Sequence, residues 1–128
     1  VILDTSAVVA VFLQEPGFEG LVGTIAESDG VGIGIPSLVE LGIVLSARLQ
    51  CDARPLIDRF LREGAVQPIP FGEDHWRIAV AAYLRFGRAR HPAGLNFGDC
   101  MAYATAKLAR QPLLCVGDDF PQTDLPLA

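Results

Sequence analysis

Apolar residues fall in short blocks along this chain, and the blocks alternate between two kinds of spacing. Val1 to Leu3, Val31 to Ile35, Val66 to Pro70 and Leu113 to Val116 are brief runs rich in aliphatic residues, the pattern of buried strands. Pro68 restricts the third of these to an edge or a very short strand, because proline cannot donate to a ladder. The segments between them read as helices. Asp4-Thr5-Ser6 supplies helix-start residues ahead of the apolar run Ala7 to Leu13, which Glu15-Pro16-Gly17 ends. Phe18 to Ala26 predicts a second helix. Pro36 and Ser37 open a long one to about Gln50, and its apolar residues occupy more than one face, which predicts that it is largely buried. Arg54 to Glu63 is amphipathic, with Pro55 suited to its first turn and Gly64 closing it.

From Glu73 to Phe86 the residues Trp76, Ala79, Val80, Tyr83 and Leu84 keep helical spacing on one face, with Gly87 as the C-terminal cap. Asn96 caps a last helix to about Ala109, and Gln111-Pro112 breaks the chain before the final strand. Helices recurring between short apolar strands predict an α/β fold: a short, mostly parallel sheet with helices on both faces. No internal repeat or low-complexity segment interrupts it.

At 128 residues the chain reads as a single domain over 1–128, long enough to bury roughly two thirds of its unfolded surface. Hydrophobic residues at 51% against 20% charged fit a packed core rather than disorder. No apolar run approaches the ~20 residues of a membrane crossing. The apolar opening, with no basic stretch before it and no cleavage pattern after it, predicts a cytoplasmic protein. Cys51, Cys100 and Cys115 are odd in number, widely spaced and without a C-x-x-C pair, which disfavours zinc and a disulfide framework.

The net charge of −5 excludes a protein that coats nucleic acid through bulk electrostatics. A nucleic-acid contact must be local, and Arg85, Arg88, Arg90 and His91 crowd the segment before Asp99 as a candidate phosphate clamp. The acids are more telling. Asp4, Glu40, Asp99 and the adjacent Asp118 and Asp119 each stand where an apolar run stops or a helix starts. In open α/β sheets ligands bind outside the carboxyl ends of the strands, the place to which Asp4 and Asp118 are carried. Several carboxylates close together there require protons or an oxygen-ligated cation to neutralise them. Each acid also has a structural reading: Ser37 and Glu40 match a capping box, Asp99 suits the first turn after Asn96, Asp4 suits a helix start, and Asp118 a Gly-Asp turn.

The strand-end DTSA at Asp4 to Ala7, Glu40 early in a long helix, LNFGDC from Leu95 to Cys100 and LLCVGDDF near the C-terminus together resemble the PIN-domain ribonucleases, and within them the VapC toxins of bacterial toxin-antitoxin pairs. The resemblance covers nearly the whole chain. It implies a three-layer α/β/α PIN-like fold and a metal-dependent endoribonuclease with Mg²⁺ or Mn²⁺ at Asp4, Glu40, Asp99 and a fourth acid. Thr5 or Ser6 would hydrogen-bond that site, and Asn96 would hold its helix entry. Many family members carry T-x-D after the last strand, where this chain has Val116-Gly117-Asp118 and then Asp119, so Asp118 matches the motif best as the fourth acid and Asp119 is the alternative. The resemblance further implies a homodimer, a VapB-type antitoxin partner and cellular RNA, often tRNA, as substrate.

Other classes fare worse. A phosphatase of the haloacid type needs Asp-x-Asp after the first strand, which Asp4-Thr5-Ser6 lacks, and Gly30 to Gly34 lacks dinucleotide-binding spacing. A non-catalytic interaction module would leave the four acidic positions as mere caps. His75 and His91 read as surface or packing residues.

Overall fold

The computed structural model describes residues 1–128. Its elements run β1 (Ile2–Leu3), α1 (Thr5–Phe12), α2 (Phe18–Glu27), β2 (Val31–Gly34), α3 (Ile35–Leu49), α4 (Arg54–Glu63), β3 (Val66–Ile69), α5 (Glu73–Phe86), α6 (Phe97–Ala109) and β4 (Leu113–Leu114), then a 3-10 turn at Phe120–Gln122. The four strands form one parallel sheet in the order β3-β2-β1-β4. Parallel neighbours need crossovers, which the helices supply.

The two-residue period of β1 separates the two sides of the molecule. Ile2 enters a core with Leu113, Phe86, Leu95 and Tyr103, on the side of α5 and α6. Leu3 enters the other with Leu114, Val8, Leu41 and Ile57, on the side of α1, α3 and α4. The result is the three-layer α/β/α arrangement. β3, with Pro68, is an edge strand as predicted, and the other edge is covered: the Leu113 N–H donates to the Pro126 carbonyl at 3.0 Å. No helix is long and apolar enough to cross a membrane.

One reading of helix burial is corrected, and the apolar face of α5 gains its orientation. α3 buries only Ser37, Leu41 and Leu45, while Val39 and Ile43 are 58% and 67% exposed. Its apolar residues do occupy more than one face, but this chain covers one face only. In α5 the seam against α6 consists of Ala79, Ala82 and Phe86, whereas Trp76, Val80, Tyr83 and Leu84 look outward. Alanines win the buried side because they let the two helices approach closely, and the bulkier apolar residues are left on the surface. Close approach also explains Gly34, where β2 turns straight into α3: a Cβ there would lie 2.8 Å from Thr105 Oγ1 on α6.

Candidate active site

β1 and β4 end side by side, with the Asp4 N–H donating to the Leu114 carbonyl at 2.9 Å. Asp4 is therefore the first residue beyond the strand. It caps α1 and is only 6% exposed. Ser6 donates to Asp4 Oδ2 twice, from its N–H at 3.0 Å and from its hydroxyl at 2.5 Å. The same hydroxyl accepts the Val116 N–H at 3.0 Å, tying the loop after β4 to the acid after β1. Thr5 instead turns inward and donates to the Ser37 carbonyl at 3.2 Å. Of the two hydroxyls expected near the site, Ser6 bonds an acid and Thr5 bonds α3.

Asp99 sits in the first turn of α6. Its Oδ2 accepts the Asn96 N–H at 3.0 Å, and Asn96 Oδ1 accepts the Asp99 N–H at 2.9 Å, a reciprocal cap that fixes both side chains. The matching cap expected at Ser37 and Glu40 does not form. α3 starts two residues earlier, at Ile35, with Gly34 at the cap position, so Ser37 is already inside the helix. Glu40 is free of that role, and its carboxylate crosses to α6, where Oε2 lies against Gly98.

Electrostatics show which acids share one place. Burial raises the Asp99 carboxyl to about 6, the Asn96 hydrogen bond opposes this, and the charges of Asp4, Asp119 and Glu40 raise it further. Asp4 is raised by burial foremost; the Ser6 hydrogen bonds pull it back, and the Glu40 charge adds to the rise. Cys115 borders the same cluster: burial, then the charges of Asp4 and Asp99, push its thiol up to about 11, so it stays protonated and acts as a half-buried apolar residue. Asp118 and Asp119 are both exposed beyond Gly117, whose φ of +107° turns the chain after β4. It is the Asp119 charge that bears on Asp99, while the Asp118 backbone carbonyl accepts from Gln122 at 3.1 Å.

Four elements thus aim acids at one end of the sheet. The donors are carboxylate oxygens, the set that suits a hard divalent cation. No three of them already stand at ligating distance as a closed cage.

The arginine segment is partly committed elsewhere. Arg85 pairs with Asp124 at 3.4 Å, and Arg90 donates to the Leu84 carbonyl at 3.3 Å. Arg88 lines a cavity of about 620 Å³ with Tyr83, Asn96, Phe97 and Met101, next to the Asp99 cap. His91 Nδ1 accepts the Ala93 N–H and His75 Nδ1 accepts the Gly72 N–H, both local structural roles.

Comparison with known proteins agrees with the fold. The PIN domain family model matches residues 1–125. Ribonuclease VapC36 of Mycobacterium tuberculosis is 46% identical over 125 residues, covering 97% of this chain and 90% of the relative. Among solved structures, Mycobacterium tuberculosis VapC20, described as a sarcin-ricin loop cleaving toxin, matches with a TM-score of 0.76 at 16% identity, over 99% of this chain and 97% of that one. VapBC2 from Rickettsia felis, bound to a DNA fragment from its promoter, matches at 0.75 and 16%, over 99% and 96%. The chain belongs to the PIN domain family of metal-dependent nucleases and, within it, to the VapC ribonucleases.

Proposed function

We propose that Asp4, Glu40, Asp99 and Asp119 form one centre for Mg²⁺ or Mn²⁺, with which this ribonuclease hydrolyses RNA. The observation that supports this reading best is the convergence on Asp99 of burial and three other carboxylate charges. Asp4 and Asp99, held by Ser6 and Asn96, are the direct ligands. Glu40, on an exposed stretch of α3, orients the attacking water or a second cation. Asp119 is favoured over Asp118 because its charge is the one felt at Asp99. The bound cation supplies a lowered water pKa and neutralises charge on the phosphate at the transition state. Attack by water rather than by a 2′-hydroxyl, with the P–O3′ bond breaking and the 3′-oxygen leaving as a hydroxyl, would give 5′-phosphate and 3′-hydroxyl ends. Arg88, which lines the cavity beside Asn96 and Phe97, is the basic group proposed to meet a backbone phosphate.

The substrate proposed is a structured cellular RNA, of which tRNA is the first to test, and the place of action is the cytoplasm. The uncovered apolar face of α3, centred on Val39 and Ile43, supports a homodimer. A separate groove between α1 and α4, lined by Val11, Phe12, Leu56 and Phe60, supports docking of a VapB-type antitoxin helix. Purified protein incubated with small structured RNAs is the test. Cleavage in Mg²⁺ or Mn²⁺ to 5′-phosphate ends, absent in EDTA and in Asp99→Asn, is the expected result. Products with cyclic phosphate ends, or equal cleavage in EDTA, contradict the reading.

A further inference from the structure

Gly98 occupies the first turn of α6, between the exposed Phe97 and the acid Asp99. A Cβ placed on it would lie 2.7 Å from Glu40 Oε2 and 3.4 Å from Glu40 Cδ; the next nearest atom, Asn96 Oδ1, is at an ordinary 3.6 Å. Nothing in the backbone asks for glycine here, since Gly98 does not have a positive φ. A helix accepts alanine more readily than glycine, so the residue gives up helix stability at this position. The only obstacle to a side chain is a carboxylate reaching over from another helix.

We propose that Gly98 is a positioning residue for Glu40: its missing Cβ lets the α3 carboxylate lie against the first turn of α6, next to Asp99, and any side chain at 98 displaces it. The proposal rests on the reading of the four acids as a metal centre. The group that must yield is the far end of a long, solvent-facing side chain, so the helix itself has no reason to move. Gly98→Ala therefore separates two properties that a purely structural glycine would lose together. Without metal its Tm stays level or rises by a few degrees, because alanine favours the helix. Its Mn²⁺ affinity falls roughly tenfold, the usual cost of misplacing a group that organises a metal site.

The experiment is calorimetric titration of Mn²⁺ alone into the wild type, Gly98→Ala, Glu40→Ala, the Gly98→Ala/Glu40→Ala double variant and Asp99→Asn, with metal-free thermal unfolding of each. Gly98→Ala and Glu40→Ala should each weaken binding, and the double should bind no worse than Glu40→Ala, since no carboxylate is left to displace. A further loss on adding Gly98→Ala to Glu40→Ala overturns the proposal, because the glycine then acts on Asp99 or on the helix directly. Unchanged affinity in Gly98→Ala beside a weakened Glu40→Ala also overturns it, while leaving the metal centre standing. Mn²⁺ binding indifferent to both Glu40→Ala and Asp99→Asn overturns the metal centre itself, and this proposal with it. Should Gly98→Ala alone fail to fold, the double variant decides: it folds if the Glu40 carboxylate is the obstacle, and its failure to fold overturns the proposal.

Discussion

At the scale of single residues, the site consists of acids held where their charge is disfavoured. Asp99 carries a carboxyl at about 6 in place of the usual 3.8, through burial first and its acidic neighbours second. A raised acid contributes stability that is fully present below its unfolded pKa and is lost as pH rises through the folded one. In metal-free protein, Asp99→Asn should therefore gain on the wild type between about pH 4 and 6, and exceed it at neutral pH by about 1–2 kcal/mol after allowance for solvent screening. Urea unfolding at pH 4 and pH 7 checks this; a variant less stable than the wild type at pH 7 contradicts it. Ser6 acts in the opposite direction, since its hydrogen bonds hold the buried Asp4 carboxyl down. Ser6→Ala should raise the Asp4 pKa further, release Val116 from the loop after β4, and weaken Mn²⁺ binding by roughly tenfold. Carboxyl titration by NMR and Mn²⁺ calorimetry read the two effects separately.

The elements place those residues with little freedom. α3 begins directly from β2, and at that junction Gly34 lies under Thr105 of α6, which keeps Glu40 within reach of the α6 first turn. Gly34→Ala must push Thr105 aside and should destabilise the fold by about 1–3 kcal/mol, a cost that Thr105→Ala in the same chain relieves in denaturant unfolding. Elements bounded by strong local signals were readable from sequence. α4 runs from Arg54 to Glu63 as expected because Pro55 and Gly64 mark its ends and its charges lie on one side. The helix from Asn96 and the carriage of Asp4 and Asp99 to element ends were legible for the same reason. Which way an apolar helix face points was not. Val39, Ile43, Val80 and Tyr83 are outside, and periodicity cannot tell an apolar residue that meets the core from one that meets nothing in its own chain. Ser6 bridging to Val116, the choice between Asp118 and Asp119, and the contact of Glu40 with Gly98 all depend on groups distant in sequence, so no local pattern announces them.

For the whole molecule, a net charge of −5 leaves little general attraction for RNA, so in the proposed reading binding rests on the cation and on few basic groups such as Arg88. The outward face of α3 belongs to this scale as well. Ile43→Glu should convert a dimer to monomer in sedimentation while leaving metal-free Tm nearly unchanged, since Ile43 is 67% exposed in the single chain. Unaltered sedimentation would remove that face from the interface. The account turns on four acids acting as one centre, and the pH dependence of Mn²⁺ affinity measures this most directly. Wild-type affinity should climb steeply as pH passes through about 6, with proton release on binding, and Asp99→Asn should bind weakly without that rise. Affinity that is flat from pH 5 to pH 8 and equal in the two proteins would contradict it.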